Sequence, residues 1–334
     1  MGGFGTYGCR LASDRLCGEA TCLIGAEALE LRTDAGALRM DYAGLRDFRL
    51  LDYRLLLDTA GGRVELSALG FQTEEFFEKL WEAYAARSGE ALFVTGEPCY
   101  TGEGDYAYTE QGVEAHGIAK VALYPDALCL FPHDDRARRI PLCFAEVPEA
   151  ADYQLSLRLD TGDCYRVGRL GRSFEAVAER AVAVQQKAAQ RWQRAHQALA
   201  AQLEERLGAE AAGYHWMEAQ PCRMITGLYT PDEEGFWYAG VGNGKAAVEW
   251  VTEEQTATYL YAFQTDGAVF ERALRHALES SALHREVIYA DLGGKPLYQM
   301  TVQRSYHLRF LRDHFTGRII HNGSWQERVR EFFR

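Results

Sequence analysis

Asp52-Tyr53-Arg54-Leu55-Leu56-Leu57-Asp58-Thr59 returns about a hundred residues later as Asp152-Tyr153-Gln154-Leu155-Ser156-Leu157-Arg158-Leu159-Asp160-Thr161. The echo extends to both sides. Upstream, Ala28-Leu29-Glu30-Leu31 is matched by Ala127-Leu128-Cys129-Leu130; downstream, Leu69-Gly70 is matched by Leu170-Gly171. The order is kept throughout and the offset drifts only between 99 and 102 residues. A duplicated unit with small loop insertions gives this pattern, whereas chance matches of common residues would not keep one order.

Each copy follows the same plan. Tyr153, Leu155, Leu157 and Leu159 alternate with Gln154, Ser156 and Arg158, which predicts a strand with one buried face; Tyr53, Leu55 and Leu57 repeat that phase. Turn residues at 32–36, 59–62 and 161–163 predict antiparallel meanders. Both copies then predict a helix, N-capped by Thr73 or Ser173, with Glu74, Glu75 and Glu175 suited to the positive end of the helix dipole. Phe76, Phe77, Leu80, Trp81 and Tyr84 fall at helical spacing, as do Phe174, Val177, Ala181 and Val184. From Ser173 to Leu207 there is no Pro or Gly, and Ala188, Trp192, Ala195, Leu199 and Leu203 carry the stripe past the reach of one small sheet. An intramolecular strut is the preferred reading of that extension, ahead of a coiled-coil contact with another chain.

A unit of this size, a β meander closed by one amphipathic helix, resembles a pleckstrin-homology-like (PH-like) domain. The expected fold is therefore α+β: PH-like antiparallel units over residues 1–95 and 96–207, the second with an extended helix, and an α+β C-terminal domain over 213–334. The resemblance implies a module that binds proteins, peptides or inositol lipids, and not an enzyme. Lipid-binding members of that superfamily place Lys and Arg in the loop joining the first strands. The matching turn of the first copy, Thr33-Asp34-Ala35-Gly36, is acidic, and that of the second, His133 to Arg139, mixes signs. His133, Arg136, Arg138 and Arg139 are its candidate ligand-binding residues. A protein partner is expected, and a membrane lipid is not favoured.

Charge agrees with that preference. The 334 residues carry a formal net charge of −12, which opposes phosphate backbones unless a local basic patch prevails. Residues 304–334 form such a patch, with seven Arg against three acids interleaved with aromatics. Packing of its apolar stripe on the acidic body is preferred to a nucleic-acid surface. The eight cysteines include no CxxC pair and read as thiols, and Cys9, Cys17 and Cys22 are spaced wrongly for a zinc knuckle, so no metal is expected. Neither a run of ~18 apolar residues nor a secretory leader is evident, which with the thiols predicts the cytoplasm. Met1 to Thr6 fits the loose N-myristoylation template, for which a plain glycine-rich leader is the preferred reading.

The C-terminal region opens with Tyr214, Trp216, Tyr229, Phe236, Trp237, Tyr238 and Trp250. Core packing is preferred for these aromatics; Trp216, Trp237 and Tyr238 are the candidates if they line a ligand pocket. Gly240 to Lys245 is one residue short of a phosphate loop and is followed by Ala246 instead of a hydroxyl, so no nucleotide cofactor is expected. Asn243-Gly244 there predicts a hairpin. Beyond it come a strand at 256–263, a helix carrying Phe270, Leu274 and Leu278, a strand at Val287-Ile288-Tyr289 and a helix over 306–315. Phe263-Gln264-Thr265 echoes Phe71-Gln72-Thr73, too briefly to define a third copy. Five of nine histidines follow residue 270, none four apart on a helix. His314, His321 and Asn322, with Asp313, make the best polar cluster; no catalytic residue is nominated. The expected function is a non-catalytic scaffold or adaptor, with an enzyme or small-molecule binder using a C-terminal pocket as the alternative.

Overall fold

The Asp52-Tyr53 and Asp152-Tyr153 pairs occupy tight turns of the same form, with φ of 50° and 57° in one and 50° and 58° in the other. Two consecutive left-handed residues make a type I′ turn, whose twist matches that of an antiparallel hairpin. The structure, a computed structural model, describes residues 5–210, 223–226, 235–252 and 256–334. The N-terminal acylation template lies largely outside them.

The first copy comprises β1 (Gly5–Ser13), β2 (Cys17–Ile24), β3 (Ala28–Thr33), β4 (Gly36–Asp41), β5 (Leu45–Leu51), β6 (Arg54–Thr59) and β7 (Gly62–Ser67), followed by α1 (Thr73–Ala91). The second comprises β8 (Tyr100–Glu110), β9 (Val113–Leu123), β10 (Ala127–Pro132), β11 (Arg138–Pro141), β12 (Glu149–Ala151), β13 (Gln154–Arg158) and β14 (Cys164–Gly168), followed by α2 (Phe174–Glu210). The sheet orders are β4-β3-β2-β1-β7-β6-β5 and β11-β10-β9-β8-β14-β13-β12, identical once each strand is shifted by seven. Every pairing is antiparallel.

Finer details are duplicated as well. Ala68 and Gly70 turn the first chain from sheet to helix at φ 59° and 60°; Arg169 and Gly171 do so in the second at 58° and 60°. Between them Leu69 and Leu170 are buried plugs. The Tyr84 hydroxyl lies 3.4 Å from the Leu45 carbonyl, and Gln185 Nε2 donates to the equivalent carbonyl of Ala145 at 2.7 Å. Leu55, Leu57 and Leu66 pack under Phe76 and Leu80 in one core, and Leu155, Leu157 and Val167 under Val177 and Ala181 in the other.

Two expectations are corrected. Tyr53 and Tyr153 do not continue the buried phase of their strands: held in the turn, each is 75% exposed. Nor is Thr73 or Ser173 an extended N-cap, because a 3-10 turn (70–72 or 171–173) runs straight into each helix; Thr73 is the first residue of α1 and donates its hydroxyl back to the Gly70 carbonyl at 2.7 Å.

α1 is covered on two sides. Phe76, Leu80 and Tyr84 face their own sheet, while Ala85 and Leu92 meet Ala122, Ala127, Cys129 and Phe131 on the outer face of the second sheet. All six residues of β10 are consequently buried. α2 bridges onward: Trp192 packs against both the second core and the C-terminal core, meeting Phe144 edge-on at 4.8 Å.

The C-terminal sheet is an antiparallel meander of β15 (Arg223–Thr226), β16 (Gly235–Gly242), β17 (Lys245–Thr252), β18 (Thr256–Ala262) and β19 (Phe315–Ile320). Asn243 and Gly244, at φ 53° and 69°, form the hairpin turn between β16 and β17. α3 (Gly267–Ser281), α4 (Glu286–Tyr289), α5 (Pro296–Arg304) and α6 (Tyr306–His314) lie between β18 and β19, and α7 (Trp325–Phe333) follows. Asp266 caps α3 by accepting from Ala268 N at 2.9 Å. One sheet face buries Trp237, Val248, Tyr259 and Tyr261 against α3 and α6; the other buries Ala247, Leu260 and Ile319 beneath Val329 and Phe333 of α7. The strand expected at Val287-Ile288-Tyr289 is instead the short α4. Its final carbonyls are taken by Arg312, which donates to Val287 O at 2.7 Å and Ala290 O at 2.9 Å, so tertiary contact outweighs β-branched propensity. Among the described residues no helix is long and apolar enough to cross a membrane.

Candidate functional site: a polar cavity between the units

The 133–139 segment joins β10 to β11, as 33–36 joins β3 to β4, so both connect third and fourth strands and not the first two. The strands before them, β1 and β2, are rich in Gly, Thr and Cys and carry a weak apolar alternation.

Backbone from this loop seals the two copies together. Phe48 N donates to His133 O at 2.9 Å and Asp135 N to Arg46 O at 3.0 Å, which occupies the edge strand β5. The His133 ring sits among Phe48, Phe77 and Trp81, at 5.8, 6.3 and 5.8 Å, with Asp47 Oδ1 3.4 Å from its Nδ1. That imidazole holds the Asp47 carboxyl below its ordinary range. Arg136 grips the buried Asp134 through Nε at 2.7 Å.

The next two arginines point elsewhere. Arg138 pairs with Glu110 at 2.8 Å and lies over the Tyr108 ring; Arg139, its side chain 6% exposed, holds Asp126 and Glu279, each at 2.8 Å from Nη2. Both line a cavity whose other walls come from the end of α1 (Leu92, Phe93), Tyr165 of β14, His276 of α3, and Arg304 to Leu308 at the α5–α6 junction. The cavity volume is about 40 Å³. Three regions of the chain thus meet around one polar hollow. Thr301 Oγ1 donates to Ala91 O at 2.6 Å, His276 Nε2 lies 2.7 Å from Asp160 Oδ1, and His284 stacks on Phe93 at 4.7 Å.

Sequence reasoning named Arg138 and Arg139 but missed Glu110, Tyr165, His276, Glu279 and His307, and saw Arg304 only as part of a basic tail. No local signal marks these residues, because each wall is contributed by a different unit.

The C-terminal candidates are dispersed. Trp237 is core, 4.8 Å from Trp250 and 5.8 Å from Tyr259. Trp216 and the side chain of Tyr238 lie outside the described residues. His314 ends α6, its Nδ1 donating to Phe310 O at 2.8 Å, whereas His321 follows β19, so a whole extended strand separates them and the expected cluster does not form. Exposed Asn322 accepts from Ser324 N at 3.4 Å and turns the chain into α7.

His321 has a different company. Its Nε2 is 2.7 Å from Thr258 Oγ1, its Nδ1 is 3.8 Å from Glu249, and its ring stacks on Trp325 at 3.6 Å. Glu249, a lone charge between Val248 and Trp250, was the signal available in the sequence. Burial pushes its pKa up to about 8 and that of His321 down to about 4, from ordinary values of 4.5 and 6.5. Between those ordinary values the unfolded chain holds one proton on the histidine and the folded chain holds one on the glutamate, so stability is level. Above 6.5 the unfolded chain loses its proton while the folded chain keeps it until about 8, and stability falls as pH rises, by about 2 kcal/mol. Below 4.5 the unfolded chain binds both protons, and stability falls again toward pH 4. The Glu249→Gln variant is expected to lose the alkaline decline. Urea midpoints of both proteins from pH 6 to 9 check this: parallel curves count against it.

No protein-family model and no curated protein matches this chain. Among the described residues no group of three or more His, Cys, Asp and Glu side chains is arranged to hold a metal ion.

Proposed function

We propose that the chain is a non-catalytic scaffold or adaptor that engages a protein partner through its two PH-like units, in the cytoplasm, where the seven described cysteines stay free thiols. The observation that carries this reading is an apolar corner on the first copy that the body leaves uncovered. Leu51 is 56% exposed, Tyr53 75% and Phe71 97%. β6 and β7 pair Leu55 with Leu66, so the Tyr53 turn and the segment leading to Phe71 stand at the same end of the sheet. Clustered exposed apolar side chains of this kind mark interaction surfaces. In the second copy Tyr153 is equally exposed, but Ala151 and Arg172 stand where the first copy has Leu51 and Phe71, so only the first copy carries the full apolar corner.

A photo-crosslinking phenylalanine analogue at position 71, in cells of the native host, tests the proposal. A discrete adduct with a different protein is expected, and the Leu51→Ser/Tyr53→Ser variant should lose it while its unfolding free energy changes by no more than about 0.5 kcal/mol. Adducts with this chain alone, or an adduct indifferent to the double substitution, overturn the reading.

A further inference from the structure

Arg304 is 1% exposed and lines the cavity between the units, yet among the described residues it has no carboxylate partner. Its Nη2 donates to the Tyr84 hydroxyl at 2.5 Å, and its Cζ lies 5.6 Å from the centre of that ring. Nε and Nη1 have no hydrogen-bond partner among the described residues. An uncompensated guanidinium withdrawn from water is costly, and a buried cation persists where something offsets its charge.

The carboxylates nearby are already engaged. Glu110 gives one oxygen to Arg138 and the other to the Tyr165 hydroxyl, both at 2.8 Å. Glu279 gives both oxygens to Arg139. These acids, with Asp126 on Arg139 Nη2, are spent on Arg138 and Arg139, and among the described residues none of them pairs with Arg304. Further donors stand beside it: Arg139 Nε has no partner, the Ser305 hydroxyl accepts from Leu308 N at 3.4 Å and is free to donate, and His307 Nδ1 is unpaired. His307 is held neutral by burial and by His276, whose ring is 4.4 Å away. A neutral imidazole supplies one donor without opposing charge.

We infer that this cavity binds a small oxyanion, a carboxylate or phosphate group, through the unpaired N–H groups of Arg304. They offer charged donors to the oxygens of either group, and the low-dielectric setting strengthens the pair. The hollow suits a single head group and not a large ligand. Because its walls come from both copies and the C-terminal region, the anion stabilises their assembly. This inference is independent of the partner surface at Phe71.

Thermal unfolding of the full chain, titrated at constant ionic strength with inorganic phosphate in one arm and acetate in another against chloride, tests it. A saturable rise of about 3–5 °C in at least one arm is expected, and the arm that saturates at lower concentration gives the ligand class. Arg304→Lys keeps the charge but removes the planar set of N–H donors, and the saturating concentration should rise at least tenfold. Ser305→Ala, outside the core, should weaken it several-fold. A wild-type rise that is absent in both arms, or that climbs linearly without saturating and is unchanged in Arg304→Lys, overturns the inference.

Discussion

Replacing Glu279 by Ala is expected to destabilise the folded chain by about 3–5 kcal/mol, because removing one member of a buried ion pair leaves the other charge uncompensated. Arg139 is buried and its pKa is raised well above the ordinary value: burial alone would lower it, and Glu279, with Asp126, more than reverses that. Asp126 keeps a hold on Nη2 at 2.8 Å, so the loss should fall toward the lower end of the range. The pair ties β11 of the second copy to α3 of the C-terminal region across 140 residues of sequence. Arg139→Met/Glu279→Met replaces both charges with apolar groups of similar length and should recover most of the stability, since the desolvation cost disappears with the charges. Urea unfolding of the two variants and the wild type measures both effects. A double variant as unstable as Glu279→Ala would show that packing around the pair, and not its charge balance, sets the energetics.

The repeat was legible because its evidence is local. Alternation at Leu55, Leu57, Leu155 and Leu157, the helical stripes of α1 and the start of α2, and Asn243-Gly244 all express the conformation of the residues that carry them. Where local preference is weak the reading slipped. Asp-Tyr is a poor advertisement for a type I′ turn, which usually recruits Asn-Gly, and so Tyr53 and Tyr153 were placed on strands. β1 and β2, with Gly, Thr and Cys, hid two strands per copy, and the loop register slipped accordingly. Val287-Ile288-Tyr289 folded as a helix because Arg312, a quarter-century of residues downstream, satisfies its carbonyls.

The cavity was illegible for a stronger reason. Arg304 and Tyr84 meet from 220 residues apart, and Thr301 reaches Ala91 from 210. The preferred reading of the basic C-terminus packs its apolar stripe on the body and leaves its arginines in water, yet Arg304 and Arg312 have internal duties: a buried hydroxyl and two helix-end carbonyls. A charge count cannot distinguish an arginine that faces water from one that closes a seam.

Trp81→Ala is expected to cost about 3–5 kcal/mol, the range for deleting a large buried aromatic. The tryptophan is 3% exposed and shared between the copies. Its indole N–H donates to Phe131 O of β10 at 2.8 Å, Lys120 of β9 lies 4.8 Å over its ring, and His133 stands against it at 5.8 Å. Truncation opens a cavity at the seam and leaves a carbonyl unsatisfied. Trp81→Phe keeps most of the apolar surface but removes the donor, so about 1–3 kcal/mol of the loss should remain. Leu80→Ala is the informative neighbour, since Leu80 is buried in the core of the first copy. If the seam couples the copies, Trp81→Ala should raise amide exchange in β10 as well as in α1, while Leu80→Ala should act chiefly on β1 to β7. A Trp81→Ala cost below about 1 kcal/mol, or exchange confined to the first copy, would mean that the seam is held by the backbone bonds of Phe48 and Asp135 alone.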